Sequence, residues 1–317
     1  MASVPDLDPD GVAEIGVALR ENIRRAVKVS DEVVRDVIVA LIGEGHVLIE
    51  DHPGVGKTAL ARALSRSLAA EYARIQCTAD LLPSDVVGSN VFNQREARFE
   101  FHPGPVFANV VLVDEINRTS PKTQSGLLEC MQERRVTVDG NPHELAQPFV
   151  VLATQNPSEY EGTYPLPEAQ LDRFMVRVSM GYPTADDEAA MLAEHAAGDR
   201  VLELEPVTEV AQVRAAQRCA GALHAAEPVR RYIVAICEAT RADPRVELGA
   251  SPRAGLMLFR AAKALAAFEG RDHVLPDDVQ ALAGAVLSHR VALVPEATAA
   301  NGAAAVVADA LERVPAI

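Results

Sequence analysis

The chain has no tryptophan, few other aromatic residues and only four cysteines in 317 residues. Aromatic side chains make up 4% of the sequence, so there are few platforms on which single-stranded nucleic acid could stack. The cysteines have no C-x-x-C spacing, which argues against a zinc site and is typical of small buried side chains in a reducing cytoplasm. We therefore expect a cytoplasmic protein without structural zinc.

Membrane segments and excess positive charge are also missing. No apolar run approaches the roughly 18–20 residues of a membrane-spanning helix, and residues 1–10 lack the basic and apolar regions of a secretory signal. The 30 basic residues are outnumbered by 45 acidic ones, which gives a net charge of −15. Such a charge opposes non-specific contact with nucleic acid or anionic lipid. We expect no membrane segment and no nucleic-acid partner.

The most informative stretch is Val47–Thr58, which reads Val-Leu-Ile-Glu-Asp-His-Pro-Gly-Val-Gly-Lys-Thr. A strand, a glycine loop, a lysine, a hydroxyl and a helix follow one another, as a phosphate-binding loop requires. Lys57 would reach the β- and γ-phosphates, and Thr58 would bind Mg²⁺. Asp51 departs from the pattern G-x-x-x-x-G-K-[ST], which has glycine there. The predicted phosphate-binding residues are Pro53, Gly54, Val55, Gly56, Lys57, Thr58 and Ala59.

The remaining pattern predicts two regions of different character. Up to about Pro183, apolar strands alternate with amphipathic helices, which favours a doubly wound parallel sheet. We predict strands starting at 47 and over 72–77, 109–117, 149–154 and 175–179, helices over 11–28, 30–41, 59–70 and 120–133, and hairpins near 85–105 and 135–145. Beyond Pro183 the sequence is rich in alanine and predicts helices over 185–195, 208–223, 228–242, 251–269, 276–290 and 304–313.

Acidic and amide side chains follow two of the predicted core strands. Asp114 and Glu115 end the most apolar strand, where ligands bind in open α/β sheets. Asp114 would hold Mg²⁺ and Glu115 would polarise an attacking water. Asn156, after the next strand, could bind the γ-phosphate and orient that water, although an Asn-Pro pair is also a common turn.

Two arginines are candidates for contact with the γ-phosphate. Arg173 precedes the last predicted strand and could reach a neighbouring subunit's nucleotide, as arginine fingers do. Arg253 begins a helix, where a positive charge is electrostatically unfavourable, and could turn onto the nucleotide. An ordinary surface ion pair is the alternative for Arg173, and a solvated surface charge is the alternative for Arg253.

These segments together resemble the MoxR family of AAA+ ATPases. The resemblance covers the chain from about residue 15 and rests on Gly54-Val55-Gly56-Lys57-Thr58, Val113-Asp114-Glu115-Ile116-Asn117-Arg118, Ala153-Thr154-Gln155-Asn156-Pro157, Gln170-Leu171-Asp172-Arg173-Phe174 and Gly249-Ala250-Ser251-Pro252-Arg253. Lys57 and Thr58 match Walker A, and Asp114 and Glu115 match Walker B. In the same way Asn156 matches sensor 1, Arg173 the arginine finger and Arg253 sensor 2.

The resemblance implies a fold and a function. It implies an AAA+ P-loop αβα core over residues 1–183, with a helix-2 insert at about 85–105 and a hairpin at about 135–145, followed by a small all-α lid over 184–317. It also implies hydrolysis of ATP with Mg²⁺ by a ring, hexameric in this family, that acts as a chaperone. The expected partner is a protein with a von Willebrand factor A domain. Arg118 is a second interface arginine on this basis, with a structural ion pair as its alternative.

Three other functions remain open at the level of sequence. The ATPase subunit of a metal chelatase shares the helix-2 insert, and stimulation by a porphyrin-binding subunit would favour it. A nucleotide-dependent scaffold would bind ATP and barely hydrolyse it, which Glu115 and Arg173 argue against. A DNA translocase is opposed by the net charge of −15.

Overall fold

The computed structural model describes residues 6–156, 162–182, 184–189, 199–297 and 302–316. Its centre is a five-stranded parallel sheet with the spatial order β2-β5-β8-β1-β9. In chain order these strands are β1 (Val47–Glu50), β2 (Tyr72–Gln76), β5 (Val110–Asp114), β8 (Val150–Gln155) and β9 (Val176–Val178). All five predicted core strands are present, and the doubly wound parallel sheet is confirmed.

Helices cover both faces of this sheet, as the unbroken apolar runs of its central strands require. Alternate residues of the central strands β1, β5 and β8 enter two separate cores: Val47 and Leu112 pack on one face, and Leu48 and Val111 on the other. The helices of this part of the chain are α1 (Pro9–Ala26), α2 (Asp31–Ile42), α3 (Lys57–Ser67), α4 (Pro83–Val87), α5 (Pro121–Glu133) and α6 (Glu168–Leu171).

Local capping explains where two of the predicted helices begin. Ser30 caps α2 by accepting a hydrogen bond from the Val33 N–H, and Ser120 caps α5 through the Thr123 N–H. Pro121 takes the first position of α5, where its missing N–H costs nothing. By contrast, α3 begins at Lys57, two residues before its predicted start, because the glycine turn leads directly into the helix.

Two hairpins project from the sheet, as predicted. The first joins β3 (Gly88–Asn93) to β4 (Arg98–Pro103), and the second joins β6 (Arg135–Val138) to β7 (Asn141–Glu144). They contact each other, because Asn90 Nδ2 donates to Asp139 Oδ2 at 2.7 Å and the rings of Phe101 and His143 stack 3.9 Å apart.

The second part of the chain is helical, which confirms the predicted helical lid. Its helices are α7 (Val210–Ala222), α8 (Glu227–Arg241), α9 (Pro252–Phe268), α10 (Pro276–Leu287) and α11 (Gly302–Arg313). A short ribbon of β10 (Val246–Leu248) and β11 (Ala292–Leu293) was not predicted. The helix predicted over 276–290 ends at Leu287 and continues as a 3₁₀ turn. Pro183 and residues 190–198, which include the end of the helix predicted over 185–195, lie outside the described residues.

The helical part shares one apolar core with α1, α2 and the sheet. No helix in the described ranges is long and apolar enough to cross a membrane.

Candidate functional site

The phosphate-binding loop joins the carboxyl end of β1 to α3. Gly54 and Gly56 adopt left-handed backbone angles, with φ of +87° and +95°, which glycine reaches without steric cost. Lys57 and Thr58 open α3, so the N–H groups of its first turn and the positive end of that helix lie at the loop. Lys57 Nζ donates to the Asp51 carbonyl at 2.6 Å. This geometry suits a bound phosphate.

Asp51, the departure from the glycine pattern, does not adopt a positive φ. Its side chain is buried and accepts three hydrogen bonds, from the His52 N–H at 2.8 Å, the Ser179 hydroxyl at 3.1 Å and the Gly181 N–H at 2.7 Å. Burial by itself raises the pKa of Asp51, but these donated bonds outweigh it and hold the pKa below its usual value. The residue is therefore a buried carboxylate with its own hydrogen-bond partners.

Asp114 lies at the carboxyl end of β5, held by its neighbours on both sides in the sheet. Its Oδ1 accepts from the Thr154 hydroxyl of β8 at 2.7 Å, and its Oδ2 accepts from Arg74 of β2 at 2.6 Å. Sequence reasoning missed Thr154 and Arg74 because the strand register brings them beside Asp114 from distant parts of the chain.

Glu115 has a left-handed backbone with φ of +58°, an uncommon conformation for a residue with a side chain and one that is often found at functional sites. Its N–H donates to Thr154 Oγ1 at 2.8 Å, so one hydroxyl positions both acidic residues. Its Oε2 accepts from Gln76 and from Arg118, each at 3.1 Å. Arg118 therefore forms an ion pair with Glu115 within the chain.

Asn156 is buried and directly follows β8. Because β8 lies between β1 and β5, Asn156 lies between the phosphate loop and the acidic pair at the same edge of the sheet. The structure thus places the predicted residues Lys57, Thr58, Asp114, Glu115 and Asn156 at one edge of the sheet.

The two candidate arginines lie at the opposite edge. Arg173 comes just before β9, whose first residue, Val176, pairs in parallel with Val47 at the amino end of β1. Arg173 and Arg253 line the same cavity of about 170 Å³ beside His46. Since β1 has four residues and is roughly 13 Å long, it separates this cavity from the phosphate loop.

The electrostatics of this arginine pair are unusual. Burial lowers the pKa of Arg173, and the positive charge of Arg253 lowers it further. Arg173 Nε is buried and has no hydrogen-bond partner among the described residues. Glu129 and Glu133 act on this pKa in the opposite direction, and a further anion close to the two arginines would offset their repulsion.

Arg290, from the helical part, fixes the segment that carries Arg173. Its buried guanidinium donates to Asp172 Oδ1 at 2.7 Å, to the Asp172 carbonyl at 3.1 Å and to the Met175 carbonyl at 3.2 Å. Ser251, which caps α9 just before Arg253, donates to Asp172 Oδ2 at 3.2 Å. The positions of Arg173 and Arg253 are therefore coupled through Asp172.

A further cavity of about 420 Å³ lies beside the phosphate loop and was not predicted. It is lined by Arg24, Val27, Lys28, Val29, Ser30, Met180, Tyr182, Thr184 and Asp187. Met180 also borders the loop, since a Cβ built on Gly56 would lie 3.7 Å from its Cε. Its lining combines polar and charged side chains with a smaller apolar part formed by Val27, Val29, Met180 and Tyr182, and that apolar part could contact a planar organic ring.

The oxygen donors of the site fit Mg²⁺. The Thr58 hydroxyl and the Asp114 carboxylate are hard ligands of the kind that bind Mg²⁺ together with substrate phosphates and water. Among the described residues no group of three or more His, Cys, Asp or Glu side chains could hold a metal ion by itself. A Mg²⁺ ion here would therefore depend on nucleotide phosphates for its remaining ligands.

Comparisons with known proteins agree with this geometry. Residues 46–176 match the ATPase family associated with various cellular activities (AAA), and residues 238–310 match the AAA lid domain. The uncharacterized protein YeaC of Bacillus subtilis is 49% identical over 94% of this chain and 91% of its own length. Chaperone MoxR1 of Mycobacterium tuberculosis is 38% identical over 87% of this chain and 75% of its own.

Two further matches extend the comparison. Protein MoxR of Paracoccus denitrificans is 32% identical, covering 83% of this chain and 84% of its own length. The crystal structure of a candidate ATPase from Cytophaga hutchinsonii superimposes with a TM-score of 0.86 at 33% identity, covering 97% of both chains.

Proposed function

The chain belongs to the MoxR family of AAA+ ATPases and is an ATP hydrolase, and we propose that it works as a Mg²⁺-dependent ring that remodels a partner protein. One observation carries this proposal: the residues proposed to contact ATP are divided between opposite edges of one sheet. Lys57, Asp114 and Glu115 lie at one edge, and Arg173 with Arg253 at the other.

This division supports a site between subunits. Arg173 cannot reach the phosphate loop of its own chain across the length of β1, but it could reach the loop of a neighbour. Head-to-tail contacts that repeat in this way form a ring when the rotation between subunits closes, and we propose a hexameric ring, as the resemblance to the family implies. Arg253, which the sequence suggested could turn onto the nucleotide, would then contact the neighbour's γ-phosphate beside Arg173.

The chemistry follows from the groups at the two edges. The N–H groups of the loop and Lys57 bind the phosphates, while Thr58 and Asp114 would hold Mg²⁺. When bound, Mg²⁺ neutralises charge that develops on the β- and γ-phosphate oxygens. Glu115 polarises the attacking water and Asn156 orients it. The positive charge of Arg173 stabilises the transferred phosphoryl group.

Remodelling of a protein is the role that the family supports, since one relative is named Chaperone MoxR1. We propose a partner with a von Willebrand factor A domain, as the sequence resemblance implies, and a cytoplasmic location. The two contacting hairpins, β3–β4 and β6–β7, are the proposed moving parts. A pull-down with Glu115→Gln in ATP, against the same variant in ADP, tests the partner: enrichment of a von Willebrand A domain protein only in ATP is expected.

Two substitutions test the assigned chemistry. We expect Lys57→Ala to abolish nucleotide binding, because it removes the charge that holds the phosphates. We expect Glu115→Gln to bind ATP and to hydrolyse it at least about tenfold more slowly, because the amide cannot accept the water proton. Phosphate release and equilibrium nucleotide binding measure the two effects.

An exposed glutamate on the last helix, outside the proposed site, provides the control. Glu312→Gln on α11 removes the same charge and should leave both measurements unchanged. Turnover at the wild-type rate in Glu115→Gln would refute the role of Glu115, and ATP binding by Lys57→Ala would refute that of the loop.

A further inference from the structure

The Asp51 carboxylate joins two segments that are distant in sequence. On one side it accepts from the His52 N–H within the phosphate loop. On the other it accepts from Ser179 and Gly181, which follow β9. A glycine at position 51, as in the usual loop pattern, could make none of these side-chain bonds.

The segment after β9 forms a wall of the cavity beside the loop. Met180 and Tyr182 line that cavity opposite Val27 and Val29, the residues between α1 and α2. The Tyr182 ring stacks on His52 with centroids 5.7 Å apart and planes 17° from parallel. The wall therefore touches the phosphate loop through Asp51 and His52.

Hydrogen bonds to Asp51 restrict this wall, whose backbone could otherwise adopt several conformations at Gly181. Gly181 has φ of +67°, and glycine adopts many conformations at little cost. The bond from its N–H to Asp51 Oδ2 at 2.7 Å restricts this freedom where the chain turns from β9 toward Tyr182. Hydrogen bonds to a charged acceptor are stronger than those between neutral groups.

We propose that Asp51 is a positioning residue. It fixes the part of the nucleotide site that binds the purine base relative to the part that binds the phosphates. The proposal rests on the proposed ATPase function, with the phosphates at the loop and the base in the 420 Å³ cavity. Asp51 itself touches neither part of the nucleotide. It fixes the distance between Met180–Tyr182 and the loop, so that base and phosphates are bound together.

The test compares a ligand that has a base with one that lacks it. Asp51→Gly should weaken binding of ATP about tenfold, which corresponds to the loss of about 1.4 kcal/mol, a typical value for one hydrogen bond to a charged group. Inorganic tripolyphosphate should bind the same variant within about twofold of wild type, because it uses only the loop. Calorimetric titration of both ligands in Mg²⁺ gives the two affinities.

Two further variants sharpen the comparison. Ser179→Ala removes a single bond and should weaken ATP binding in the same direction but less. Asp51→Asn should weaken ATP binding as Asp51→Gly does. The NH₂ group of the amide would face either the His52 N–H or the donors Ser179 and Gly181, and it cannot accept a hydrogen bond from them. In steady state all three variants should raise KM for ATP with little change in kcat.

The outcomes are separable. Equal loss of affinity for ATP and tripolyphosphate would show that Asp51 only shapes the phosphate loop, and wild-type ATP affinity in Asp51→Gly would show that it positions nothing. Either result would overturn this inference while leaving the ATPase assignment intact. Failure of the wild-type chain to bind ATP would instead overturn the proposed function.

Discussion

A single buried hydroxyl, that of Thr154, holds both acidic residues of the site. It donates to Asp114 Oδ1 at 2.7 Å and accepts from the Glu115 N–H at 2.8 Å. Thr154→Val keeps the shape of the side chain but leaves that N–H without its partner and Asp114 without its donor. Loss of one buried hydrogen-bond partner costs about 1–3 kcal/mol, so we expect ATP turnover to fall at least about tenfold.

Thr154→Ser is the matched control, because it keeps the hydroxyl and loses only a methyl group. Phosphate release by the three proteins at saturating ATP measures the effect. We expect Thr154→Ser to release phosphate at a rate close to that of the wild type, and Thr154→Val at a far lower rate. If both variants turned over equally, the hydroxyl would have no part in positioning Glu115.

The residue scale also shows where sequence reasoning succeeds. Lys57 and Asp114 could be predicted because neighbouring residues in the sequence create their environment. Lys57 follows a strand and a glycine turn and begins a helix, and Asp114 ends an apolar strand. Thr154, Arg74 and Gln76 could not, because each meets the acidic pair only through the register of separate strands. No local pattern distinguishes Thr154 from any other threonine in a buried strand.

At the scale of elements, His46 ties three of them together. It lies just before β1, its Nδ1 accepts from the Val151 N–H of β8 at 3.0 Å, and its Nε2 lies 3.0 Å from the Met131 carbonyl of α5. This pattern requires the neutral ring with its proton on Nε2. Burial lowers the pKa of His46 to about 4.

The pH dependence of stability follows from this shift. The folded pKa lies below the unfolded value of 6.5, so the contribution of His46 is present above that value and is lost as the pH falls toward 4. Between pH 7 and pH 5 this linkage removes about 2 kcal/mol from the free energy of unfolding. His46→Gln keeps a donor and an acceptor without titrating, and should lose about 2 kcal/mol less over that range.

Urea unfolding at the two pH values measures both losses. A variant that loses as much stability as the wild type on acidification would contradict the role of His46. His289 is also buried, with its pKa lowered by burial and by Arg290, and remains in both proteins, so its contribution cancels in the comparison.

The elements themselves differ in how far sequence determines them. The core strands and long helices were predictable because their apolar residues recur at the spacing that places them on the buried face of each element. The β10–β11 ribbon was not, because its strands of three and two residues are too short to show a period and depend on pairing across the helical part.

At the scale of the whole molecule, the distribution of charge and of site residues points to assembly. A net charge of −15 leaves little tendency to bind nucleic acid, while one small cavity is lined by four arginines, Arg134, Arg173, Arg253 and Arg260, together with Glu44. Burial lowers the pKa of Arg173 and repulsion by Arg253 lowers it further, whereas Glu129 and Glu133 act in the opposite direction. A nucleotide phosphate of a neighbouring chain would relieve that repulsion.

Mixing two inactive variants tests this arrangement directly. Lys57→Ala loses the phosphate loop and keeps Arg173, while Arg173→Ala keeps the loop and loses the arginine. If each site combines the loop of one subunit with the arginine of the next, a mixed ring contains some sites with both intact. For random assembly of equal amounts, about a quarter of the sites are complete, so we expect about a quarter of the wild-type ATPase rate. A site built within one chain predicts no recovery on mixing, because every subunit then carries one defect. Mixing either variant with a chain that carries both substitutions is the control, since such rings contain no complete site under either arrangement.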